Sequence, residues 1–279
     1  MHLPLLPTIA LTLSTLTLTL ADRNLYIVAH QDDDLLFLNP SLLHSIRDNH
    51  SIQTIYLTAG DAGLGPEYWT SRQTGALAAY AQMAGVSNTW DESGLEIPAG
   101  EIRLYTLRER AENPISLAFM HLPDGNGDGS GFAATGNESL EKLWKGAIGT
   151  INTVDESGIS YTREELISAL ASVIDRYGPD SVSAQDYVDA FGSGDHSDHT
   201  AGALFANEAA VRSSFGGSVA AYEGYPIKDL PANVGGADLD AKKAAFYTYA
   251  PYDSAACASD AACGGREYEL WLQREYLAN

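Results

Sequence analysis

The sequence is short of basic residues and of cysteine, and each shortage narrows what the protein can be. The chain has 16 Lys and Arg against 37 Asp and Glu in 279 residues, a formal charge of -21 at pH 7. Such a charge repels phosphate backbones and anionic lipid, which argues against nucleic acid as a partner. Cys257 and Cys263 allow at most one bridge, which in an oxidising compartment would stabilise its loop by about 2 kcal/mol. A reduced pair is the alternative.

The first 21 residues, MHLPLLPTIALTLSTLTLTLA, lack Asp, Glu, Lys and Arg altogether. This pattern predicts a secretory leader cleaved near Ala21 and a secreted product, although the usual basic residue at its start is missing. The alternative is an uncleaved anchor in the endoplasmic reticulum membrane, because the stretch barely reaches the ~20 residues that span a bilayer. The chain contacts a membrane only if this segment is retained. Sequons at Asn49 and Asn137 are candidate glycan acceptors.

No repeat, low-complexity tract or linker interrupts the chain, which favours a single domain over residues 22–279. The 45% hydrophobic content allows a large buried core. Short apolar runs typical of strands covered on both faces are NLYIVAH (24–30), QTIYLTAG (53–60) and DSVSAQDY (180–187). Helical patterns are SLLHSIRD (41–48), SRQTGALAAYAQMAG (71–85), TREELISALASVIDRYG (162–178) and AGALFANEAAV (201–211). This alternation predicts an open, doubly wound, mostly parallel α/β sheet.

Histidines and aspartates cluster after two of these predicted strands. The two clusters are His30, Asp32 and Asp33 in AHQDDD, and Asp195, His196, Asp198 and His199 in GDHSDH. Ligands of open α/β sheets bind beyond the carboxyl ends of the strands, where both clusters are expected. Adjacent carboxylates repel one another, and a bound cation would offset that repulsion. The residue types and their spacing therefore predict a metal site.

These two clusters carry a resemblance to a known family. AHQDDD followed by HSDH is similar to the paired AHPDDE and HPDH motifs of the PIG-L/LmbE-like family. TAGDAGLG (58–65), LPDGN (122–126) and YEGYPI (222–227) extend the resemblance over most of the chain after the leader. It implies the three-layer LmbE-like sandwich fold and a metal-dependent de-N-acetylase of molecules that contain N-acetylglucosamine.

The resemblance also implies which residues bind the metal and which residue is the general base. His30, Asp33 and His199 would bind zinc, and Asp32 would be the general base. Two histidines and one carboxylate leave positions open for water and substrate, as a hydrolytic site requires. The same ligands suit iron(II), so the resemblance leaves the choice between Zn²⁺ and Fe²⁺ open.

His196 and Asp198 complete the implied catalytic set. His196 would stabilise the oxyanion or protonate the leaving amine, with Asp198 orienting its ring. The chain departs from the family pattern at Gln31, where proline is usual, and at Asp34, where glutamate is usual. Neither departure removes an implied ligand.

Arg72 and Asp124 are the candidate substrate contacts. Many relatives have Arg-x-x-Glu where this chain has Arg72 and Gly75, so a surface position for Arg72 is the alternative. Asp124 opens DGNGDG (124–129), which resembles the start of a calcium loop but has Thr135 in place of the bidentate Glu. We expect a flexible loop at the pocket rim, with Asp124 accepting a sugar hydroxyl and calcium binding as the alternative.

Three functions follow from these observations. The first is a secreted hydrolase that removes the acetyl group from an N-acetylated amino sugar or oligosaccharide. The second is the membrane-associated de-N-acetylase of N-acetylglucosaminyl-phosphatidylinositol, a glycolipid substrate, and it needs residues 1–21 as an anchor. The third is a carbohydrate-binding protein that has kept the fold and lost turnover. Asp32 argues against the third, because a protein without turnover needs no general base.

Overall fold

The computed structural model describes residues 21–278, so the predicted leader lies almost wholly outside the described residues. The strands are β1 (Arg23–Val28), β2 (Ser51–Thr58), β3 (Trp90–Ile97), β4 (Gly100–Leu107), β5 (Ile115–Leu122), β6 (Ile151–Asn152), β7 (Ser160–Tyr161), β8 (Ser181–Gln185) and β9 (Val219–Tyr222). The α-helices are α1 (Asp33–Leu36), α2 (Ser41–Arg47), α3 (Pro66–Ala84), α4 (Leu140–Trp144), α5 (Arg163–Tyr177), α6 (Ser197–Arg212), α7 (Gly236–Tyr249), α8 (Asp260–Cys263) and α9 (Glu267–Leu272). Within residues 21–278, no helix combines the length and the apolarity needed to cross a bilayer.

Seven strands form one sheet in the order β3-β4-β5-β2-β1-β8-β9. The four pairings among β5, β2, β1, β8 and β9 are parallel. At one edge, β3 and β4 form an antiparallel hairpin that the sequence patterns did not predict, and β4 pairs antiparallel with β5. An antiparallel edge on a parallel sheet is common, and the predicted mostly parallel α/β fold is confirmed.

Helices cover both faces of this sheet. Leu25 and Ile27 of β1 belong to the hydrophobic core packed by α5 and α6, whereas Tyr26 and Val28 belong to the core packed by α2, α3 and α7. Successive side chains of a strand point to opposite faces, so a strand covered on both sides needs an unbroken apolar run. The continuous apolar run of β1 has this physical cause.

The N-termini of α5, α3 and α6 each have an identifiable cap or starting residue. Thr162 caps α5 through a reciprocal pair of hydrogen bonds with Glu165. α3 begins at Pro66, before the predicted segment, because proline fits the first helical position. α6 begins at Ser197 and has His196 as its N-cap, so HSDH opens the helix and does not precede it.

The segment after α7 returns to the carboxyl edge of the sheet. Cys257 and Cys263 are joined by a disulfide in this segment. The buried amine of Lys242 donates to the carbonyl oxygen of Trp271 at 3.2 Å. The Trp271 ring packs edge-on against Phe37 with ring centroids 5.7 Å apart. These contacts place the C-terminal aromatic residues beside the loop that follows β1.

Candidate metal centre and active-site pocket

Two segments at the carboxyl edge of the sheet supply the clustered histidines and aspartates. β1 and β8 are parallel neighbours, so the segments that leave them start at the same edge. After β1, the backbone N–H of His30 donates to Asp33 Oδ2 at 2.6 Å and closes a tight turn. After β8, the loop leads into α6, whose first turn carries His199. The structure thus brings the two sequence clusters together.

His30 and His199 both face Asp33. His30 Nδ1 lies 3.2 Å from Asp33 Oδ2, and His199 Nε2 lies 3.0 Å from Asp33 Oδ1. Two donors that each lie about 2.0 Å from a tetrahedral zinc are about 3.3 Å apart, so these spacings suit a shared ion. Burial alone would raise the pKa of Asp33, but His199 and His30 hold that pKa well below its usual range. Asp33 is therefore an anionic oxygen donor.

His199 Nε2 is a buried nitrogen without a hydrogen-bond partner. The other ring nitrogen, Nδ1, lies 2.7 Å from Asp195 Oδ1, which accepts its N–H. Burial lowers the pKa of His199, but the carboxylates of Asp195 and Asp33 outweigh this effect and raise that pKa to about 10. The carboxylates of Asp195 and Asp33 therefore favour a positive charge on the ring, and Nε2 faces Asp33 Oδ1 at 3.0 Å without the geometry of a hydrogen bond. A metal ion fits this donor set.

The candidate donors form overlapping groups. Ligand atoms lie within 4.8 Å of one another in two sets, His30 with His196 and His199, and His30 with Asp124, His196 and Asp198. Neither set includes Asp33, whose two oxygens face different histidines. The structure thus has a candidate His/Asp metal site, and the choice of ligands within it stays a prediction.

His196 is oriented by the backbone of α6. Its Nδ1 accepts the N–H of Asp198 at 3.2 Å, which places the ring proton on Nε2, 3.8 Å from Asp124 Oδ1. Burial, together with the charge of His30, lowers the pKa of His196 to about 4. The carboxylate of Asp198 lies closer to His30 Nε2, at 3.3 Å, than to His196 Nδ1, at 3.8 Å. The Asp198 side chain therefore supports His30 more directly than the ring it was expected to orient.

Asp32 is paired with Arg72 inside the pocket. Arg72 Nη2 donates to Asp32 Oδ1 at 2.7 Å, and its other nitrogens donate to the Gly60 carbonyl and to Tyr249 Oη. Arg72 is only 7% exposed, so the surface alternative for this residue is wrong. Burial raises the pKa of Asp32 to about 6, against the opposing effect of Arg72. A carboxyl group with such a pKa is suited to accept a proton near neutral pH.

Asp124 lies in the pocket wall with 6% of its surface exposed. Its Oδ1 accepts the backbone N–H of Asn126 at 2.8 Å, and Asp128 Oδ1 accepts that of Ser130 at 2.9 Å. The two carboxylates thus close separate turns of the DGNGDG loop. Among residues 21–278, no group of candidate metal ligands includes Asp128. The calcium alternative for this loop has no support in its geometry.

The C-terminal third of the chain supplies a pocket wall that the sequence patterns did not indicate. The pocket has a volume of about 150 Å³, and its lining includes Tyr225, Tyr268 and Trp271. The rings of Tyr225 and Trp271 stack with centroids 4.7 Å apart. Asp253 lies 3.0 Å from Arg72 Nε and anchors it from the same side. Only YEGYPI, which contains Tyr225, was a sequence signal for any of these residues.

Together, the fold and the clustered side chains define an α/β protein with a candidate His/Asp metal site at the carboxyl edge of its sheet. The family model described as PIG-L, GlcNAc-PI de-N-acetylase, matches residues 25–210. The chain belongs to this family, a family of hydrolases, and the resemblance read from the two motifs is confirmed. No curated protein sequence matches the chain.

Solved structures match the chain at low sequence identity. The N,N'-diacetylchitobiose deacetylase of Pyrococcus horikoshii is 15% identical, with 90% of this chain and 76% of that chain covered and a TM-score of 0.52. The 4-carboxy-2-hydroxymuconate hydratase GalB of Pseudomonas putida is 13% identical, with 90% and 82% covered and a TM-score of 0.47. Teicoplanin deacetylase Orf2, in its zinc-inhibited form, is 18% identical, with 81% and 83% covered and a TM-score of 0.40. The first of these shows a shared fold.

Proposed function

We propose that the protein is a metal-dependent hydrolase that removes the acetyl group from an N-acetylglucosamine-type amino sugar or oligosaccharide and releases acetate. The observation that carries this proposal is the unpartnered His199 Nε2 facing Asp33, with His30 on the other Asp33 oxygen. Membership of the PIG-L family supports the same reaction. We assign the ligand set to His30, Asp33 and His199, with Zn²⁺ as the metal and Fe²⁺ as the alternative.

The residues around the ligands divide the proton transfers between them. When bound, the metal acts as a Lewis acid that polarises the acetamide carbonyl and acidifies water. Asp32, held by Arg72 at 2.7 Å, accepts the proton of the attacking water. His196, whose lowered pKa keeps its ring neutral, presents its Nε2–H to the pocket and donates a hydrogen bond to the oxyanion. The water oxygen bonds to the acetyl carbon, the carbon–nitrogen bond breaks, and the amine leaves with the proton that Asp32 took from the water.

Acetate release tests this proposal directly. Purified protein is incubated with N-acetylglucosamine, chitobiose, chitotriose and N-acetylglucosaminyl-phosphatidylinositol, with and without a chelator. We expect acetate from at least one sugar substrate, loss of activity after chelation, and recovery when Zn²⁺ or Fe²⁺ is added back. A protein that binds these sugars and releases no acetate with either metal is the non-catalytic carbohydrate-binding alternative.

The description of the matching family favours one other substrate. It names N-acetylglucosaminyl-phosphatidylinositol, the glycolipid that the second sequence-based hypothesis proposed. Exclusive activity on the glycolipid, with the free sugars inert, identifies the glycolipid enzyme. We prefer the soluble sugars because the pocket is small and its lining has four aspartates against one arginine, an excess of negative charge that disfavours a phosphodiester.

Export through the secretory pathway stays a prediction, which rests on residues 1–21. Glycosylation at Asn49 and Asn137 and the single-domain boundaries 22–279 also stay predictions. Mass spectrometry of the mature product decides the first of these. A chain that begins near Asp22 in the culture medium supports export, and a membrane-bound chain that begins at Met1 supports the anchor.

A further inference from the structure

A second cavity, of about 610 Å³, lies beside α3 and away from the metal site. Tyr68 and Arg72 line the active-site pocket, whereas Trp69 and Gln73 line the second cavity. Consecutive helical residues are turned by about 100° around the axis, so the two cavities occupy adjacent sides of this helix. The remaining walls are the β3–β4 hairpin, the end of β5 and the loop of residues 153–157.

A chain of polar side chains runs along the floor of this cavity. His121 Nδ1 lies 3.0 Å from Asp155 Oδ2, and His121 Nε2 lies 3.0 Å from Gln73 Oε1. Gln73 Nε2 in turn donates to Tyr105 Oη at 2.9 Å. The half-buried ring of Trp69 packs on His121 with centroids 4.7 Å apart. The cavity therefore presents an aromatic surface next to amide, hydroxyl and carboxylate groups whose positions are fixed.

The backbone at His121 is distorted in a way that serves this cavity. His121 has φ 54, a left-handed conformation that is unfavourable for a residue with a Cβ. The pairing of β5 with β2 shifts register at this point, between the partners of Tyr56 and Thr58. Such a bulge re-aims a side chain out of the regular alternation, and strained positions cluster at binding sites. At this bulge the His121 side chain lies in the cavity lining, and it is absent from the lining of the active-site pocket.

The charges at the rim select among ligands. Glu92, Glu101 and Glu156 are exposed around the opening, and Arg103 is the basic residue of the lining. A net acidic rim repels phosphate and carboxylate ligands and attracts amines. Aromatic faces with adjacent fixed polar groups suit the pyranose ring, which has an apolar face and a rim of hydroxyls.

We propose that this cavity is an accessory carbohydrate-binding site, which takes a hexosamine unit bearing an acetamide or a free amine. The inference takes the identity of the sugar from the proposed function. An accessory site makes the substrate an oligosaccharide with units on both sides of α3. One unit occupies the pocket at the metal site while another is held at Trp69 and His121. The site then raises affinity for longer chains and leaves the reaction on a single sugar unchanged.

Binding measured without turnover tests the proposal. Chitotriose and its fully deacetylated counterpart are titrated into metal-depleted protein by calorimetry, for the wild type and for His121→Asn, Glu101→Gln and Glu112→Gln. Asparagine tolerates the left-handed backbone, so His121→Asn removes the ring with little added strain. Glu112 is exposed outside the lining and is the matched charge control. Thermal unfolding confirms that each variant is folded.

We expect His121→Asn to bind both trimers about fivefold to tenfold more weakly, the loss of one stacking or hydrogen-bonding contact. Glu101→Gln should weaken only the deacetylated trimer, and Glu112→Gln neither. Equal affinity of the wild type and a folded His121→Asn for both trimers overturns the accessory site. Acetate release from N-acetylglucosamine is measured separately. A wild-type protein that binds the trimers as expected but releases no acetate contradicts the proposed function and leaves this site intact.

Discussion

The two cavities beside α3 use charged side chains in opposite ways. In the active-site pocket Asp32 and Asp33 are 7% and 2% exposed, and each lies against a cationic or ring nitrogen. At the second cavity Glu92 is exposed and lies 3.6 Å from an equally exposed Arg103. Removing one partner of a buried pair leaves an uncompensated charge, whereas solvent screens an exposed pair. We therefore expect the first region to carry out the chemistry and the second to bind, and substitutions should separate the two.

The largest effect is expected for Asp32→Asn, which removes the proton acceptor and leaves the proposed ligands in place. Turnover should fall about 10²- to 10⁴-fold, the usual contribution of a general base. Bound metal, measured by elemental analysis, should stay the same, and added metal should not restore activity. Asp48→Asn, at an exposed position after α2, is the control. Loss of metal from Asp32→Asn, or near-normal turnover, contradicts the assignment of the base.

Asp33→Asn should instead act through the metal. It replaces an anionic oxygen donor between His30 and His199 with a neutral one, so affinity for Zn²⁺ should fall by more than about 100-fold. Excess metal should restore part of the activity, which distinguishes this variant from Asp32→Asn. Titration with a competing chelator measures the affinity. Unchanged affinity would transfer the ligand role to Asp124 or Asp198, which lie in the other group of donors.

A smaller effect is expected for Asp195→Asn, which weakens the support of one ligand. Asp195 Oδ1 accepts the Nδ1–H of His199 at 2.7 Å, and loss of such a partner typically weakens metal binding about 10- to 100-fold. Turnover at saturating metal should change less than affinity. Asp189→Asn, exposed in the same loop, serves as the control. Equal chelator titrations for the two variants would show that Asp195 has no part in the metal site.

The smallest effects compare two neighbours on α3. Tyr68 Oη donates to Asp253 Oδ1 at 2.8 Å, and Asp253 lies beside Arg72, so Tyr68→Phe should lower kcat a few-fold, equivalent to about 1 kcal/mol. Trp69→Ala should leave kcat on N-acetylglucosamine within about twofold and raise KM for chitotriose about fivefold. Steady-state kinetics on both substrates measure the difference. If both variants change the same parameter on the same substrate, the two sides of α3 do not form separate sites.

Local patterns predicted those elements whose causes are local. The unbroken apolar run of β1 and the helical periodicity of α5 lie within the structures they produce. The hairpin β3–β4 was not predicted, because its first strand is largely exposed and has a weak alternation of buried side chains. The sequence also left undecided whether Arg72 lies at the surface or in the pocket. Its partners Asp32 and Asp253 lie far from it in the sequence, and only the fold shows that the guanidinium is buried between them.

The sequence by itself determined the parallel α/β core, the family, and the two clusters that hold the candidate ligands, because each of these is written in contiguous residues. The tertiary structure alone decided which atoms meet. The parallel pairing of β1 with β8 brings Asp33 Oδ1 to 3.0 Å from His199 Nε2. Asp195 binds the other ring nitrogen of His199 and so keeps Nε2 directed at Asp33. The tertiary structure also placed Trp271 in the lining of the pocket beside the candidate metal site and His121 in that of a second cavity. Such convergence depends on strand order and register, which no local pattern specifies.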